Sequence, residues 1–176
     1  MLDLLRVNQL PRLVRLFVRL PRGPVTDVKW PDLLRRWSQD YSFGRSNKTR
    51  TFLEPRGLPA LLKKLQSGPD RAAVTGSLAA ARVAPIAASR LASVYVEDID
   101  RAAEQLGLRP AETGGNVVLA EPFDKVVFDR TQPHEGVTYA AFSQVVADLL
   151  TGPGRSPAEG DELVRWMQEH EDAWRD

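Results

Sequence analysis

The sequence predicts an α+β fold in two parts. Residues 1–66 form a basic region of helices and extended segments. Residues 67–176 form a small mixed αβ domain closed by helices. Three observations carry this. First, residues 1–66 hold 14 Lys/Arg against 5 Asp/Glu, a net of +9, and residues 67–176 hold 10 against 18, a net of −8. Second, beyond residue 67 short β-branched runs alternate with Ala- and Leu-rich segments at helical spacing. Third, 176 residues with 43% hydrophobic content suffice for one ordinary core. There are no cysteines, so disulfides and thiolate metal sites are excluded and a cytoplasmic home is the default. No apolar run approaches a membrane span.

Taken in order, residues 3–20 are rich in Leu and Val but carry Arg6, Arg12, Arg15 and Arg19. That charge excludes a signal-peptide core. Pro11 breaks any continuous helix and suits a first turn, so a helix is predicted from Pro11, giving way to extended chain near Phe17. Leu20–Pro24 reads as a turn and Val25–Trp30 as extended. Helix, extended piece, basic Pro-Gly turn and extended piece match the end of a winged helix, so Met1–Lys29 reads as a partial winged-helix remnant. The competing reading is an amphipathic arm packed on the next helix. Trp30-Pro31-Asp32 then starts a helix with Leu33, Leu34, Trp37 and Tyr41 on one face, ended by Phe43-Gly44. Thr51–Leu53 is extended and Pro55–Gly57 turns. Leu58–Leu65 is a helix with Lys63 and Lys64 outside, and Ser67–Asp70 marks the boundary of the basic linker region.

In the acidic body, Arg71–Val74 is a predicted strand and Ser77–Val83 a helix that Ser77 can cap and Pro85 ends. Ala92–Val96 is a strand. Ile99–Leu106 is a helix capped by Asp98 or Asp100 and stopped by Gly107. Pro110–Thr113 is weakly extended, Val117–Ala120 and Val126–Phe128 are strands, and His134–Gly136 is a loop. Val137–Ala140 is a short strand, Phe142–Leu150 a helix, and Pro157–Trp174 a closing helix entered through Ser156.

Two constellations invite chemistry. Gly76-Ser77 followed by Asp98-x-Asp100 resembles the site of a metal-dependent nucleotidyltransferase, in which a Gly-Ser turn holds a triphosphate and two carboxylates hold Mg²⁺. Asp124 or Asp129 would complete it. Against this, Asp98 and Asp100 stand where a helix cap is expected, and Pro85 cuts the first helix short, so a turn and a cap are favoured and the enzyme is the alternative. His134 and His170 are the only histidines and have no third ligand for zinc. No P-loop, dinucleotide fingerprint or nucleophile elbow is present. No cofactor and no metal is expected.

Several phrases carry a resemblance: RGPVTDVKWPDLLRRWSQDYSF, RSNKTRTFLEPRGLPALLKKL, AVTGSLAAARVAP, GGNVVLAEPFDKVVFDRT and DLLTGPGRSPAEGDELVRWM. The chain resembles the AbiEi-type antitoxins and transcriptional regulators of type IV toxin–antitoxin systems, in their actinobacterial form. The resemblance implies a winged helix-turn-helix that binds the operon's own promoter, a C-terminal αβ domain that serves antitoxicity without catalysis, and a nucleotidyltransferase-type toxin as cognate partner. Measured against it, only the last helix and wing are expected in Met1–Lys29, so the chain reads as N-terminally truncated. On this reading Arg15, Arg19, Arg22 and Lys29 contact DNA phosphates, and Lys48 and Arg50 extend the basic face.

Overall fold

The computed structural model describes residues 17–19 and 25–175. The helix expected from Pro11 and the Leu20–Pro24 turn lie outside them. Strands β1 (Phe17–Arg19) and β2 (Val25–Val28) pair antiparallel, with Phe17 opposite Val28. The expected extended segments therefore meet as a ribbon. Of the segment expected to be a winged-helix remnant, this ribbon and Lys29 fall among the described residues.

Helix α1 (Trp30–Asp40) follows at once, with proline in its first turn and Asp32 at the positive end of its dipole. Of the predicted face, Leu34 and Tyr41 are buried and Leu33 and Trp37 partly so, and Trp30 at the helix start is buried as well. α1 stops at Asp40, before Phe43-Gly44, which opens the next element instead. A short helix α2 (Phe43–Ser46) forms, because Ser42 C=O accepts from Arg45 and Ser46 N–H at 3.1 and 2.8 Å. β3 (Lys48–Leu53) then runs three residues earlier than the apolar pattern shows, since its first residues are polar and face solvent. α3 (Leu58–Leu65) matches its prediction. Lys64, however, is not simply outside: its ammonium reaches the buried carboxylate of Glu54 and, at 2.7 Å, Leu106 C=O.

The remaining elements are β4 (Ala72–Thr75), α4 (Gly76–Ala80), β5 (Ala92–Val96), α5 (Ile99–Gln105), β6 (Arg109–Pro110), β7 (Val117–Glu121), β8 (Gln132–His134), β9 (Val137–Tyr139), α6 (Phe142–Leu150) and α7 (Ser156–Glu169). Seven strands make one mixed sheet in the order β6-β3-β7-β5-β4-β9-β8. β5 is parallel to β7 and antiparallel to β4, and β4 is parallel to β9. Val94, Tyr95 and Val96 are all buried. Three consecutive buried strand residues require cover on both faces of the sheet. On one side α6 packs against α1, α4 and α7. The architecture is thus α+β, as expected. The change of charge near residue 66 is not a break in the sheet, because β3 lies between β6 and β7.

Four local expectations are corrected. Val126–Phe128 is not a strand: Lys125–Phe128 is a 3₁₀ turn, because Asp124 Oδ1 accepts Val126 N–H at 3.0 Å and curls the chain. The His134–Gly136 loop narrows to Glu135-Gly136, because His134 is the last residue of β8 and pairs with Val137. β8 and β9 form a hairpin whose two turn residues, Glu135 and Gly136, both have positive φ (49° and 75°), the geometry of a two-residue turn that matches strand twist. Helix α4 ends at Ala80, short of Val83. The closing helix ends at Glu169, and Glu171–Ala173 continues as a 3₁₀ turn after His170 leaves helical geometry at ψ 45°. Gly107 does end α5: its φ of 58° lets Leu108 N–H reach back to Ala103 C=O at 2.9 Å.

Candidate functional site

Of the six residues expected to face nucleic acid, Arg15 and Arg22 lie outside the described residues. Arg19 ends β1, opposite Val25. Lys29 is exposed at the joint between β2 and α1. Lys48 and Arg50 alternate on β3 and so share one face. Each meets a carboxylate there. Lys48 Nζ lies 2.9 Å from Glu121 Oε2, and Arg50 pairs with Asp100 while lying over the Phe52 ring at 5.4 Å. The Ile99 N–H and then Lys48 hold the Glu121 carboxyl below the usual range. Both cations remain largely exposed, at 64% and 43% of the side chain, so they are partly neutralised rather than buried.

The nucleotidyltransferase alternative is not supported. β4 and β5 are antiparallel with Thr75 opposite Ser93 and Ala72 opposite Val96. Gly76 and Ser77 leave β4 beside the start of β5, whereas Asp98 and Asp100 follow the other end. Five strand residues separate these ends, roughly 16 Å at about 3.3 Å per residue. Each group is also engaged elsewhere. Asp98 caps α5, accepting Arg101 N–H at 2.8 Å. Asp100 pairs with Arg50. Ser77 does not cap α4: its hydroxyl donates to buried Glu159, which Arg155 Nε also meets at 2.7 Å. Asp124 caps the 3₁₀ turn. Among the described residues no group of three or more His, Asp or Glu is placed to hold a metal. His170 stacks on Trp166 with ring centres 4.7 Å apart, and His134 sits beside Tyr139.

The most concentrated polar chemistry is elsewhere, at a cluster that sequence reasoning missed. Asp148 on α6 is buried at 4% exposure. It accepts from Tyr41 Oη at 2.6 Å, Tyr95 Oη at 2.8 Å, Gln144 Nε2 at 2.9 Å and the Thr75 hydroxyl. Asn47 Nδ2 adds a bond to Tyr41 Oη at 3.1 Å. The cluster ties together the end of α1, the α2–β3 joint, β4, β5 and α6. Burial pushes the Asp148 carboxyl up to about 6, while the four donors pull it back. Burial and the neighbouring carboxylate raise both tyrosines well above the ordinary phenol range. The one local signal was Gln144 and Asp148 at i and i+4 inside a helix that is otherwise apolar on that side.

Two surface depressions flank the fold. One, about 160 Å³, is lined by charges of both signs, including Asp70, Arg71, Glu97 and Arg101. The other, about 360 Å³, lies between Arg130, Ser143 and Trp174. Neither adjoins the Asp148 cluster or a nucleophile with a base beside it.

A family model described as a transcriptional regulator, AbiEi antitoxin, of type IV toxin–antitoxin systems matches residues 28–164. That span runs from the last residue of β2 into α7 and contains the whole seven-stranded sheet. No curated protein and no solved structure matches the chain.

Proposed function

The chain belongs to the AbiEi antitoxin family of type IV toxin–antitoxin transcriptional regulators, and from that premise we propose that it is a non-catalytic regulator that binds promoter DNA and neutralises a nucleotidyltransferase-type toxin. In this proposal residues 1–66 present the DNA-facing surface. Arg15, Arg19, Arg22 and Lys29 contact phosphates, and Lys48 and Arg50 add to the positive field despite their carboxylate partners. Residues 67–176 supply the antitoxin function. The single observation that supports it most is the +9 charge of residues 1–66 in a chain of a DNA-regulating family, since phosphate neutralisation dominates such affinity. Among the described residues no helix is long and apolar enough to cross a membrane, and we place the protein in the cytoplasm with its operon.

The test is fluorescence anisotropy on the promoter duplex upstream of its own reading frame, across a salt series. Affinity should fall with salt at a slope of about −0.9 per phosphate contacted, and Arg19→Glu with Arg22→Glu should flatten that slope by about 2. No binding at low salt would overturn DNA binding, and an unchanged slope would remove these two arginines. Co-expression with the neighbouring toxin gene tests the other half: growth arrest that persists in the presence of the chain defeats the antitoxin assignment.

A further inference from the structure

The Asp148 cluster contains more oxygen-to-oxygen contacts than an ionised carboxylate can fill with protons. Tyr41 Oη lies 2.8 Å from Tyr95 Oη and 2.6 Å from Asp148 Oδ1. Tyr95 Oη lies 2.8 and 3.0 Å from the two carboxyl oxygens, and the Thr75 hydroxyl bonds Oδ2. Four pairings must therefore be bridged: Tyr41 with Tyr95, and Asp148 with each of Tyr41, Tyr95 and Thr75. Each hydroxyl brings one proton and an ionised carboxylate brings none, so the ionised cluster is one proton short. A proton on Asp148 completes it as a closed ring. Asp148 Oδ2–H donates to Tyr95, Tyr95 donates to Tyr41, Tyr41 donates back to Oδ1, and Thr75 donates to Oδ2. The amides fill the remaining lone pairs: Gln144 Nε2 lies 2.9 Å from Oδ1 and 3.1 Å from Tyr95 Oη, and Asn47 Nδ2 lies 3.1 Å from Tyr41 Oη.

We infer that Asp148 is a buried proton-binding switch whose protonation closes this ring and locks the C-terminal end of α1 onto β5 and α6. The groups facing it are Tyr41 from α1, Tyr95 from β5, Thr75 from β4, Gln144 from α6 itself and, one bond further out, Asn47. The two phenols titrate far above neutrality, and none of these side chains carries a charge that would offset the carboxylate. Burial accordingly holds the proton up to about pH 6. Because this pKa is raised over the unfolded value, the stability it contributes is present at low pH. It is lost as pH rises from about 4 through about 6. Once the proton leaves, both phenols turn their protons to the carboxylate. The Tyr41–Tyr95 contact then holds facing lone pairs and widens. Tyr41 is the C-terminal cap of α1, its N–H bonds Trp37 C=O at 3.0 Å, and its ring centre lies 5.4 Å from that of Trp37. α1 carries the β1–β2 ribbon at its other end, so the proton sets how firmly the ribbon-bearing helix is seated.

The experiment is NMR on the full chain, following the Asp148 carboxyl carbon and the Trp37 indole from about pH 4.5 to about pH 8. The carboxyl should titrate near 6, about two units above an ordinary aspartate, and the Trp37 signal should move with the same midpoint. Asp148→Asn places an amide donor and a carbonyl acceptor on the ring, so it should abolish the transition and keep Trp37 at its low-pH position. Tyr41→Phe should leave Asp148 titrating but silence Trp37. A carboxyl that titrates near 4, a Trp37 signal that ignores it, or a Trp37 transition that survives in Tyr41→Phe overturns the inference. Should Asp148→Asn not fold, the wild-type titration and Tyr41→Phe decide.

Discussion

Substituting Asp98 separates a helix cap from a metal ligand. Asp98 sits in extended geometry, φ −144° and ψ 118°, and its Oδ1 accepts the Arg101 N–H, the third amide of α5, at 2.8 Å. That amide has no partner within the helix, so Asp98→Ala should cost about 1 kcal/mol. In a chain of this size the loss lowers Tm by about 2–4 °C. Asp98→Asn keeps the acceptor and should cost under about 0.5 kcal/mol. Asp100 is 78% exposed and meets Arg50 on the surface, so Asp100→Ala should cost no more than about 0.5 kcal/mol. Urea denaturation followed by circular dichroism, with and without Mg²⁺, reads all three. Mg²⁺ should shift none of the midpoints. Two results would refute the reasoning: Asp98→Asn as damaging as Asp98→Ala, or Mg²⁺ that stabilises the wild type but not the Asp98→Ala, Asp100→Ala double variant. The second would restore the metal site, since a ligand that binds only the folded state must raise its stability.

Three further outcomes are expected. Burial opposes ionisation of Glu54, but the Lys64 hydrogen bond, the Arg56 N–H and the charges of both residues outweigh it and hold the carboxyl below its usual range. Glu54→Ala should cost about 2–3 kcal/mol at neutral pH. Because the folded pKa is depressed, that difference should shrink as pH falls below about 4, which a pH series of thermal melts will show. A methyl on Gly115 would lie 2.3 Å from Thr51 Cγ2 and 2.8 Å from Phe52 C=O; Gly115→Ala should therefore lose at least about 2 kcal/mol in urea titration. Leu61, in the basic region, is fully buried with the sheet residues in one core. Leu61→Ala should cost about 2–5 kcal/mol and lower a single cooperative transition; two separate transitions would show residues 1–66 and 67–176 to be independent units.

What a linear reading recovers is what short-range chemistry encodes. The spacing of Leu33, Leu34, Trp37 and Tyr41 sets α1, the Phe142–Leu150 run sets α6 to the residue, and the Val-Tyr-Val core of β5 is plain from its alternation and flanks. Gly107 and Asp98 mark the two ends of α5 for reasons of backbone conformation and orphan amides. Errors fell where a local pattern fits two structures. Lys125–Phe128 has the residues of a strand, and the Asp124 side chain bends it into a turn. β8 contains Pro133 and little apolar area, and it exists because β9 offers it an edge.

By itself, the sequence determined the α+β class, most helices, the charge asymmetry and membership in a family of regulators. Tertiary structure decided which residues meet. The antiparallel register of β4 with β5 sends Gly76-Ser77 and Asp98-x-Asp100 to opposite ends of the sheet, undoing a site that looks contiguous along the chain. The same packing assembles Asp148 with Thr75, Tyr95 and Tyr41, which lie 73, 53 and 107 positions away. The physical reason is range. Periodicity and capping act over a turn or a strand, within a few residues. Strand register and the partners of a buried polar group are set by global burial, which no local window contains.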